Sequence, residues 1–576
     1  MITLGISGLA HDAAIALVED GRIRFALEEE RVTRRKHQWG FPQRACATAL
    51  AACGLACSDI DRVAFYWDDR AALMPALVNE LRGLFDVSRP TIARMVRRLG
   101  AARSQRLVHE ELRQLWQDAL VPRVTFVDHH LSHALYAYRA SGFPRALAVV
   151  IDGRGEYASV SAYLCDGDSL SRIRCVAMPA SLGFVYGAVT QHLGFRPAAD
   201  EYRVMGLAAY GRSDPSIDRF FEQLLPITAD GFKVNLRFTR YQYAEAIDAR
   251  WFGDAVDDVL GPPRKPSDPI EPRHADIARA AQSRYEQVVL TMLSDLAREQ
   301  PSLPLVLAGG CAMNSVCNGR ILRECGFPDF YVPAAPGDQG AAIGAAFSTF
   351  GYAATAAHVA NNRRAQIGPA YTREEIDAAI RERRLPVQPC ENPRDRLVDL
   401  LCAGQVGGVF LGALEFGPRA LGGRSILADP RRADMKDRLN AKIKLREPFR
   451  PFAAAILHDQ CREYTGREIQ SDYMNIVMPV AEDKRSIIPA VMHADGSCRF
   501  QTVHELDGSP LGDIIRRFDV RTGVPLLLNT SFNVNGEPIV MTPSDAIDCY
   551  LRTDLDFLLM EDVLLRKEPA SEVSAW

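Results

Sequence analysis

Short apolar runs broken by glycine turns open the chain, the pattern of a β-meander. Leu4-Gly5-Ile6 leads through the turn Ser7-Gly8-Leu9-Ala10 into an apolar run from Ala13 to Val18, and Asp20-Gly21 turns the chain into Ile23 to Leu27. The plan recurs further on. Ala146 to Ile151 reads as a strand, Asp152-Gly153-Arg154-Gly155 as a turn, Ser159 to Leu164 as a second strand, and Asp166-Gly167-Asp168 introduces a third. Helical periodicity dominates Ile277 to Leu296. Pro304 to Leu307 then reads as a buried strand running into Gly309-Gly310, and Ala341 to Ala346 as a small-residue helix start that permits close packing.

A repeated three-stranded meander with a glycine turn between its first two strands predicts an α/β protein whose N-terminal domain is a duplicated actin-like (ribonuclease H-like) fold. In such a fold the turns of both halves face one cleft, where backbone N–H groups can cradle phosphate. The pattern fades after Phe350, through Ala353 to Arg364, and a new unit starts at Gly368-Pro369. The expected organisation is therefore a first domain over 1–352, a linker over 353–370 and a second domain over 371–576. Residues after about Arg566 read as a frayed polar tail.

At 576 residues, 47% hydrophobic and 24% charged, the chain is of ordinary globular composition and too long for one core. A formal charge of -4 gives no global field that would attract nucleic acid. No apolar run reaches the ~18 residues that a membrane span needs, and the start lacks the basic segment and cleavage site of a signal peptide. The 13 cysteines include no CxxC pair, so neither a zinc ribbon nor a disulfide framework is indicated. A reduced cytoplasmic enzyme is the expectation.

The chemistry begins at Asp128-His129-His130-Leu131-Ser132-His133, which closes a short apolar run and opens an alanine-rich helical pattern. His129 and His133 fall on one helix face and can share a metal ion. Asp152 ends a buried strand, and Pro336-Gly337-Asp338 delivers another carboxylate. Two histidines and two carboxylates make a mixed N/O site, open from these residues to Fe, Zn, Mn or Co. Gly309 and Gly310 would let a ligand approach the backbone at a helix start. The C-terminal part carries cations beside glycine and proline turns, in Gly417-Pro418-Arg419, Lys442 to Phe452, Arg499 to Val503 and Leu527 to Asn533. Guanidinium forks and ammonium points placed this way suit a polyphosphate pocket.

With these segments in view, the chain resembles the O-carbamoyltransferases of the nodulation-protein U, cephalosporin carbamoyltransferase and tobramycin carbamoyltransferase family, from Leu4 to about Leu565. The resemblance rests on Gly8 to Ala14, Glu28-Glu29-Glu30-Arg31, His129 to Ala134, Asp152 to Glu156, Val204 to Ala208, Gly309 to Asn314 and the C-terminal segments. It implies an N-terminal domain similar to the tRNA threonylcarbamoyladenosine transferase and a C-terminal domain similar to the YrdC-type threonylcarbamoyl-AMP synthase. By that resemblance the C-terminal domain forms carbamoyl-AMP from carbamoyl phosphate and ATP with Mg²⁺, and the N-terminal domain passes the carbamoyl group to a hydroxyl of a sugar or natural product. Carried over by position, His129, His133, Asp152 and Asp338 are the metal ligands, with Fe²⁺ the family-like occupant. Gly309, Gly310 and Asn314 would bind the adenylate, and Arg419, Lys444, Arg450, Arg499 and Ser531 would bind ATP and carbamoyl phosphate. His11, beside Asp12, is the candidate general base for the acceptor hydroxyl. The chain departs from the family pattern at Arg203, Ala413 and Gly423.

Two rival readings remain at this point. A tRNA-modifying protein would use the arginines between Arg94 and Arg106 as an electrostatic footprint, although Arg94, Arg97 and Arg98 have the spacing of a solvated helix face. An actin-like ATPase or sugar kinase would leave the C-terminal cations without a role. Neither a membrane nor a nucleic acid is an expected partner; a homodimer is compatible with the sequence.

Overall fold

The computed structural model describes residues 1–70, 103–117, 120–229, 231–243, 248–352, 355–387, 389–504 and 508–567. Arg94, Arg97, Arg98 and the tail beyond residue 567 lie outside the described residues. The chain forms two compact units: Met1–Thr33 with His37–Arg364, and Ala365–Trp576 with the short segment Arg34–Lys36.

Five strands make the first sheet of unit 1: β1 (Ile2–Ser7), β2 (Ala14–Glu19), β3 (Arg22–Glu28), β4 (Arg62–Phe65) and β5 (Val124–Phe126), in the order β3-β2-β1-β4-β5. The β1–β2 and β2–β3 pairs are antiparallel, and β1–β4 and β4–β5 are parallel. The second sheet comprises β6 (Arg145–Ile151), β7 (Ala158–Asp166), β8 (Ser169–Ala177), β9 (Leu305–Ala308) and β10 (Phe330–Tyr331), ordered β10-β9-β6-β7-β8. Its pairings repeat those of the first sheet: β6–β7 and β7–β8 antiparallel, β6–β9 and β9–β10 parallel. Identical order and identical strand sense establish the duplicated actin-like fold from topology alone. Both meanders exist because a glycine turn lets two apolar runs fold back on one another. Their central strands are then buried on both faces: Leu4, Ile6, Leu147 and Val150 have no exposure.

Helices bring the later chemistry to these strands. They are α1 (His129–Ser141), α2 (Pro272–Glu299), α3 (Ser315–Glu324) and α4 (Asp338–Phe347). Helix α4 is almost wholly buried, and small residues allow it. A β-carbon on Gly5 of β1 would lie 2.0 Å from the Ala342 carbonyl oxygen, and one on Gly340 would lie 1.9 Å from the Ala335 carbonyl oxygen. The stretch expected as a linker instead contains a helix, α5 (Ala356–Asn362). Asn362 accepts from the Ile23 N–H at 3.2 Å and donates to the Gly21 carbonyl at 3.2 Å, which ties α5 to the first hairpin and to unit 1.

Unit 2 is built on an eight-stranded mixed sheet: β11 (Gly407–Phe410), β12 (Arg424–Ala428), β13 (Ala453–Leu457), β14 (Ile476–Pro479), β15 (Ser497–Val503), β16 (Leu526–Ser531), β17 (Phe557–Met560) and β18 (Val563–Arg566). Their order is β14-β15-β13-β16-β12-β11-β17-β18. Ala453 on β13 faces Arg499 on one side and Asn529 on the other, and Ser425 faces Ser531. That register brings the cationic segments, far apart in sequence, to one part of the sheet.

Candidate functional site

The histidine pair stands where a helix begins. Asp128 caps α1, its carboxylate accepting from the Leu131 N–H at 2.8 Å. Glu156 accepts from the N–H of His129 at 2.9 Å and of Asp68 at 2.9 Å, and burial together with the Asp128 charge pushes its pKa up to about 7. One helical turn separates His129 from His133, and both are 1% exposed. Their Nε2 atoms lie 3.2 Å apart. Asp152 Oδ2 is 2.9 Å from His129 Nε2 and 3.3 Å from His133 Nε2, and Asp338 Oδ1 is 3.6 Å from each.

These separations fit a shared cation. Four ligands about 2.0–2.1 Å from a tetrahedral metal stand about 3.3–3.4 Å apart, and the distances between the histidine nitrogens and from them to the carboxylate oxygens run from 2.9 to 3.6 Å. The donor set, two imidazoles and two carboxylates, is that of a divalent transition-metal site. Asp152 is prepared for the task by its other oxygen. Oδ1 accepts from the N–H groups of Gly153 at 2.7 Å and Gly310 at 3.3 Å, which leaves Oδ2 to the histidines. Burial alone would raise the Asp152 pKa and lower that of His133. Their mutual hydrogen bonds and charges outweigh it, holding Asp152 ionised and raising His133 to about 9. His130, between the ligands, points elsewhere: its Nδ1 is 2.8 Å from Ser161 Oγ, and burial holds it neutral.

The Gly309-Gly310 turn has an internal purpose. Gly309 sits at φ 88°, and a β-carbon there would come within 2.4 Å of the Ile151 carbonyl oxygen. Gly310 spends its N–H on Asp152. The turn leads into a 3₁₀ turn, Gly310–Met313, before α3 begins at Ser315. Asn314, expected among the adenylate ligands, is occupied as the cap of α3. Its Oδ1 accepts from the Cys317 N–H at 3.1 Å and from Gln282 Nε2 at 3.0 Å, and its Nδ2 donates to Gln282 Oε1 at 3.0 Å. Both hydrogen-bonding ends of the amide are used within the protein.

His11 lies in the β1–β2 turn, where Leu9 and Asp12 adopt left-handed φ of 67° and 55°. Its Nδ1 is 3.0 Å from Asp12 Oδ2, its ring meets Trp39 edge-on at 5.9 Å between centroids, and Trp39 is 53% exposed. Burial lowers the His11 pKa, but the Asp12 hydrogen bond and the charges of Asp338, Asp12 and Asp152 raise it to about 10 in the metal-free chain.

In unit 2 the dominant feature is a gathering of like charge. Burial pushes the Arg499 pKa down, and the guanidinium groups of Arg419, Arg446 and Arg450 push it further. Like charges gathered in this way favour an anionic ligand beside them. Arg446 is held by Nε donating to Asn440 Oδ1 at 2.7 Å and by stacking 4.5 Å over the Phe452 ring. Arg446, Asn440, Glu447, Leu445 and Asn535 line an open cleft of about 360 Å³. The preceding segment, Leu439–Lys444, is a π-helix, a rare form common at functional sites.

Lys444 is buried, and its Nζ donates to the Ser531 carbonyl, to the Asn533 carbonyl at 3.0 Å and to Asn533 Oδ1 at 2.8 Å. Burial and the charges of Arg446 and Arg450 lower its pKa, while four oxygens, Ser531 Oγ at 3.3 Å among them, surround the ammonium. Lys444 thus fixes the Ser531–Asn533 turn, where Ser531 Oγ donates to Asn533 Oδ1 at 2.7 Å. Arg450 reaches Asn535 Oδ1 at 3.4 Å and Glu447 at 3.6 Å.

Sequence reading passed over the residues that shape the Arg419 loop. Gln501 donates to the Leu421 carbonyl at 3.0 Å and Asn529 to the Ala420 carbonyl at 3.2 Å. Glu415 Oε1 accepts from the N–H groups of Leu421, Gly423 and Arg424 at 2.8, 2.5 and 3.1 Å. Arg424, fully buried, stacks 3.5 Å over the Phe410 ring and donates to the carbonyls of Leu411 and Gly412. The departure at Gly423 follows from this packing: a β-carbon there would lie 2.9 Å from Gln366 Nε2 and 3.0 Å from the Ala413 carbonyl oxygen. Buried amides in apolar strands give no sequence signal of their own; only the Glu-Phe-Gly-Pro-Arg segment marks the region.

The structure defines an α/β protein with a duplicated actin-like unit and a four-residue N/O cluster, and sequence comparison supplies its family. The carbamoyltransferase N-terminus model matches residues 2–347 and the carbamoyltransferase C-terminus model residues 398–567. The chain belongs to the carbamoyltransferase family. It is 36% identical to the uncharacterized protein sll1178 of Synechocystis sp., over 98% of this chain and 96% of that one. It is 34% identical to nodulation protein NolNO of Sinorhizobium fredii, over 99% and 83%, and 30% identical to nodulation protein U of Rhizobium tropici, over 98% and 96%. Among solved structures, full-length HypF in its phosphate- and nucleotide-bound form is 12% identical over 60% of this chain and 55% of that chain, with a TM-score of 0.30, a likeness that adds nothing to the topology. Among the described residues, no helix is long and apolar enough to cross a membrane.

Proposed function

We propose that this carbamoyltransferase works in two steps: unit 2 forms carbamoyl-AMP from carbamoyl phosphate, ATP and water with release of phosphate and pyrophosphate, and unit 1 transfers the carbamoyl group to a hydroxyl of a small-molecule acceptor with release of AMP. The observation that carries the reading is the half-buried Arg499 on β15, whose pKa is lowered by desolvation and by the charges of Arg419, Arg446 and Arg450. Phosphate groups are the ligand such a set fits, and charge-assisted contacts to them lower the barrier to displacement at phosphorus. Ser531 Oγ, at the end of β16, donates its one proton to Asn533 Oδ1 and would exchange that bond for one to a phosphate oxygen.

His129, His133, Asp152 and Asp338 would hold the metal of the transfer step, with Fe²⁺ the occupant expected from the family resemblance. Bound there, a divalent cation would draw charge from phosphate or carbonyl oxygens and offset the Asp338 and Asp152 charges, which add to the Asp12 hydrogen bond in raising the His11 pKa. His11 then takes the proton of the acceptor hydroxyl on Nε2, because Nδ1 is committed to Asp12. Gly309 and Gly310 shape the turn that supports Asp152, and the adenylate would lie against that turn. Mg²⁺ would accompany ATP in unit 2.

The test is incubation of the full chain with ATP, Mg²⁺ and labelled carbamoyl phosphate. Labelled carbamoyl-AMP and pyrophosphate support the two-step reading. Carbamoyl phosphate consumed without pyrophosphate would overturn it.

A further inference from the structure

Asp12, Glu30 and His37 bring potential ligand atoms within 4.8 Å of one another, a second grouping of metal-binding residue types in unit 1. Its hydrogen bonds give it another use. Asp12 Oδ2 meets His11 Nδ1 at 3.0 Å, and Asp12 Oδ1 meets His37 Nδ1 at 2.8 Å. Glu30 is equally engaged, one oxygen accepting from Arg31 Nη1 at 2.8 Å and the other from the His37 N–H at 2.7 Å. Every carboxylate oxygen of the group already has a hydrogen-bond partner within the protein, and these bonds orient the two rings.

Burial would raise the Asp12 pKa, but the two imidazole contacts hold it far below the usual carboxylate range. An ionised carboxylate only accepts, so both imidazoles must carry a proton on Nδ1. That settles which ring nitrogen of His11 stays available. The stretches bearing these residues are laced together: Leu9 N–H donates to the Gly40 carbonyl at 2.8 Å and Ala13 N–H to the Gln38 carbonyl at 3.3 Å. Asp12 and His37 both sit at φ 55°, a left-handed conformation that non-glycine residues adopt at a cost and that clusters at functional sites.

We propose that His37 is a positioning residue for the transfer step: by occupying Asp12 Oδ1 it fixes the carboxylate so that Oδ2 holds His11 with Nδ1 protonated and Nε2 free for the acceptor hydroxyl. The inference rests on the reading of His11 as general base, deepens it, and concerns a residue that touches no substrate. It follows the logic of a base oriented by a third group, with one group more.

The test reads the ring protons directly, in the metal-loaded full chain with ¹⁵N-labelled histidine rings. Native protein should show hydrogen-bonded, low-field Nδ1–H signals for His11 and His37, assigned by their loss in His11→Asn and His37→Asn. Asn places its amide near the Nδ1 position, whereas Gln reaches past it. His37→Asn should therefore keep the His11 signal. His37→Gln should lose it, with ring N–H exchange about tenfold faster, the factor for one hydrogen bond to a charged group. The pair controls for folding, since both variants keep a polar side chain. A His11 signal unchanged in folded His37→Gln, or absent from the native protein, would overturn the proposal. Loss of that signal in His37→Gln, together with unimpaired carbamoyl transfer in His11→Asn, would leave His37 positioning intact and remove the general-base reading instead.

Discussion

The Ser132 carbonyl oxygen of α1 lies 1.7 Å from where a β-carbon on Gly344 of α4 would stand. Only a glycine lets the two helices approach so closely. Their approach places Asp338, the first residue of α4, beside His129 and His133.

The first prediction follows from that contact. Gly344→Ala must separate α1 from α4 or distort both, at about 1–3 kcal/mol by analogy with other overpacked cores. It should lower the melting temperature and weaken metal binding together, although residue 344 is no ligand. Calorimetry and metal analysis on one preparation check this; unchanged metal content would mean that the cluster tolerates the shift.

Removing a ligand should separate the two half-reactions. His129→Ala and Asp338→Ala are expected to reduce bound metal and carbamoyl transfer while leaving pyrophosphate release largely intact. Pyrophosphate release and transfer from supplied carbamoyl-AMP are measured separately. Equal loss of both in folded protein would contradict the assignment of the two steps to different sites.

Metal affinity should depend on pH in a defined direction. In the metal-free chain burial lowers the His133 pKa, but the Asp152 and Asp338 contacts raise it to about 9. Below that value a proton must leave His133 before Nε2 can bind a metal. Apparent affinity should therefore rise with pH, by about one log unit per pH unit below about 9. Competition against a chromogenic chelator at several pH values measures the slope, and a flat profile would show that no proton is displaced.

The arginine set should matter to activation alone. On the proposed reading, Arg499→Ala or Arg419→Ala would remove a charge-assisted phosphate contact, typically worth about 3 kcal/mol or ~100-fold in rate. Pyrophosphate release should fall by that order, and supplied carbamoyl-AMP should restore transfer. Lys444→Ala should behave likewise by releasing the Ser531–Asn533 turn. Failure of supplied adenylate to rescue these variants would remove activation from unit 2.

His11→Asn preserves a hydrogen-bonding group near Asp12 but cannot take up a proton near neutral pH. Carbamoyl-AMP synthesis should stay normal, with transfer slowed by roughly 10²–10⁴-fold, the range for general-base catalysis. In the native enzyme the transfer rate should rise with pH as His11 loses its proton, and that rise should vanish in the variant. A pH–rate profile of the transfer half-reaction in both proteins decides it.

Much of this molecule was legible in its sequence because local patterns encode local geometry. Glycine turns between apolar runs determined both meanders, and their recurrence determined the duplication. The four-residue spacing of His129 and His133 determined that they share a helix face. The Ala341 to Ala346 run announced close packing, which Gly344 and Ser132 carry out. The family followed from ordered motifs along nearly the whole chain. What sequence could not decide depends on which atoms meet across long separations. It could not show that Asn314 is consumed as a helix cap with Gln282, or that Lys444 spends its donors on Ser531 and Asn533. Nor could it show that residues 356–362 form a helix tied to the first hairpin, or that His37 meets Asp12. A side chain's type states what bonds it can make. Only the packed chain, where each buried polar atom needs a partner, decides which of them it does make.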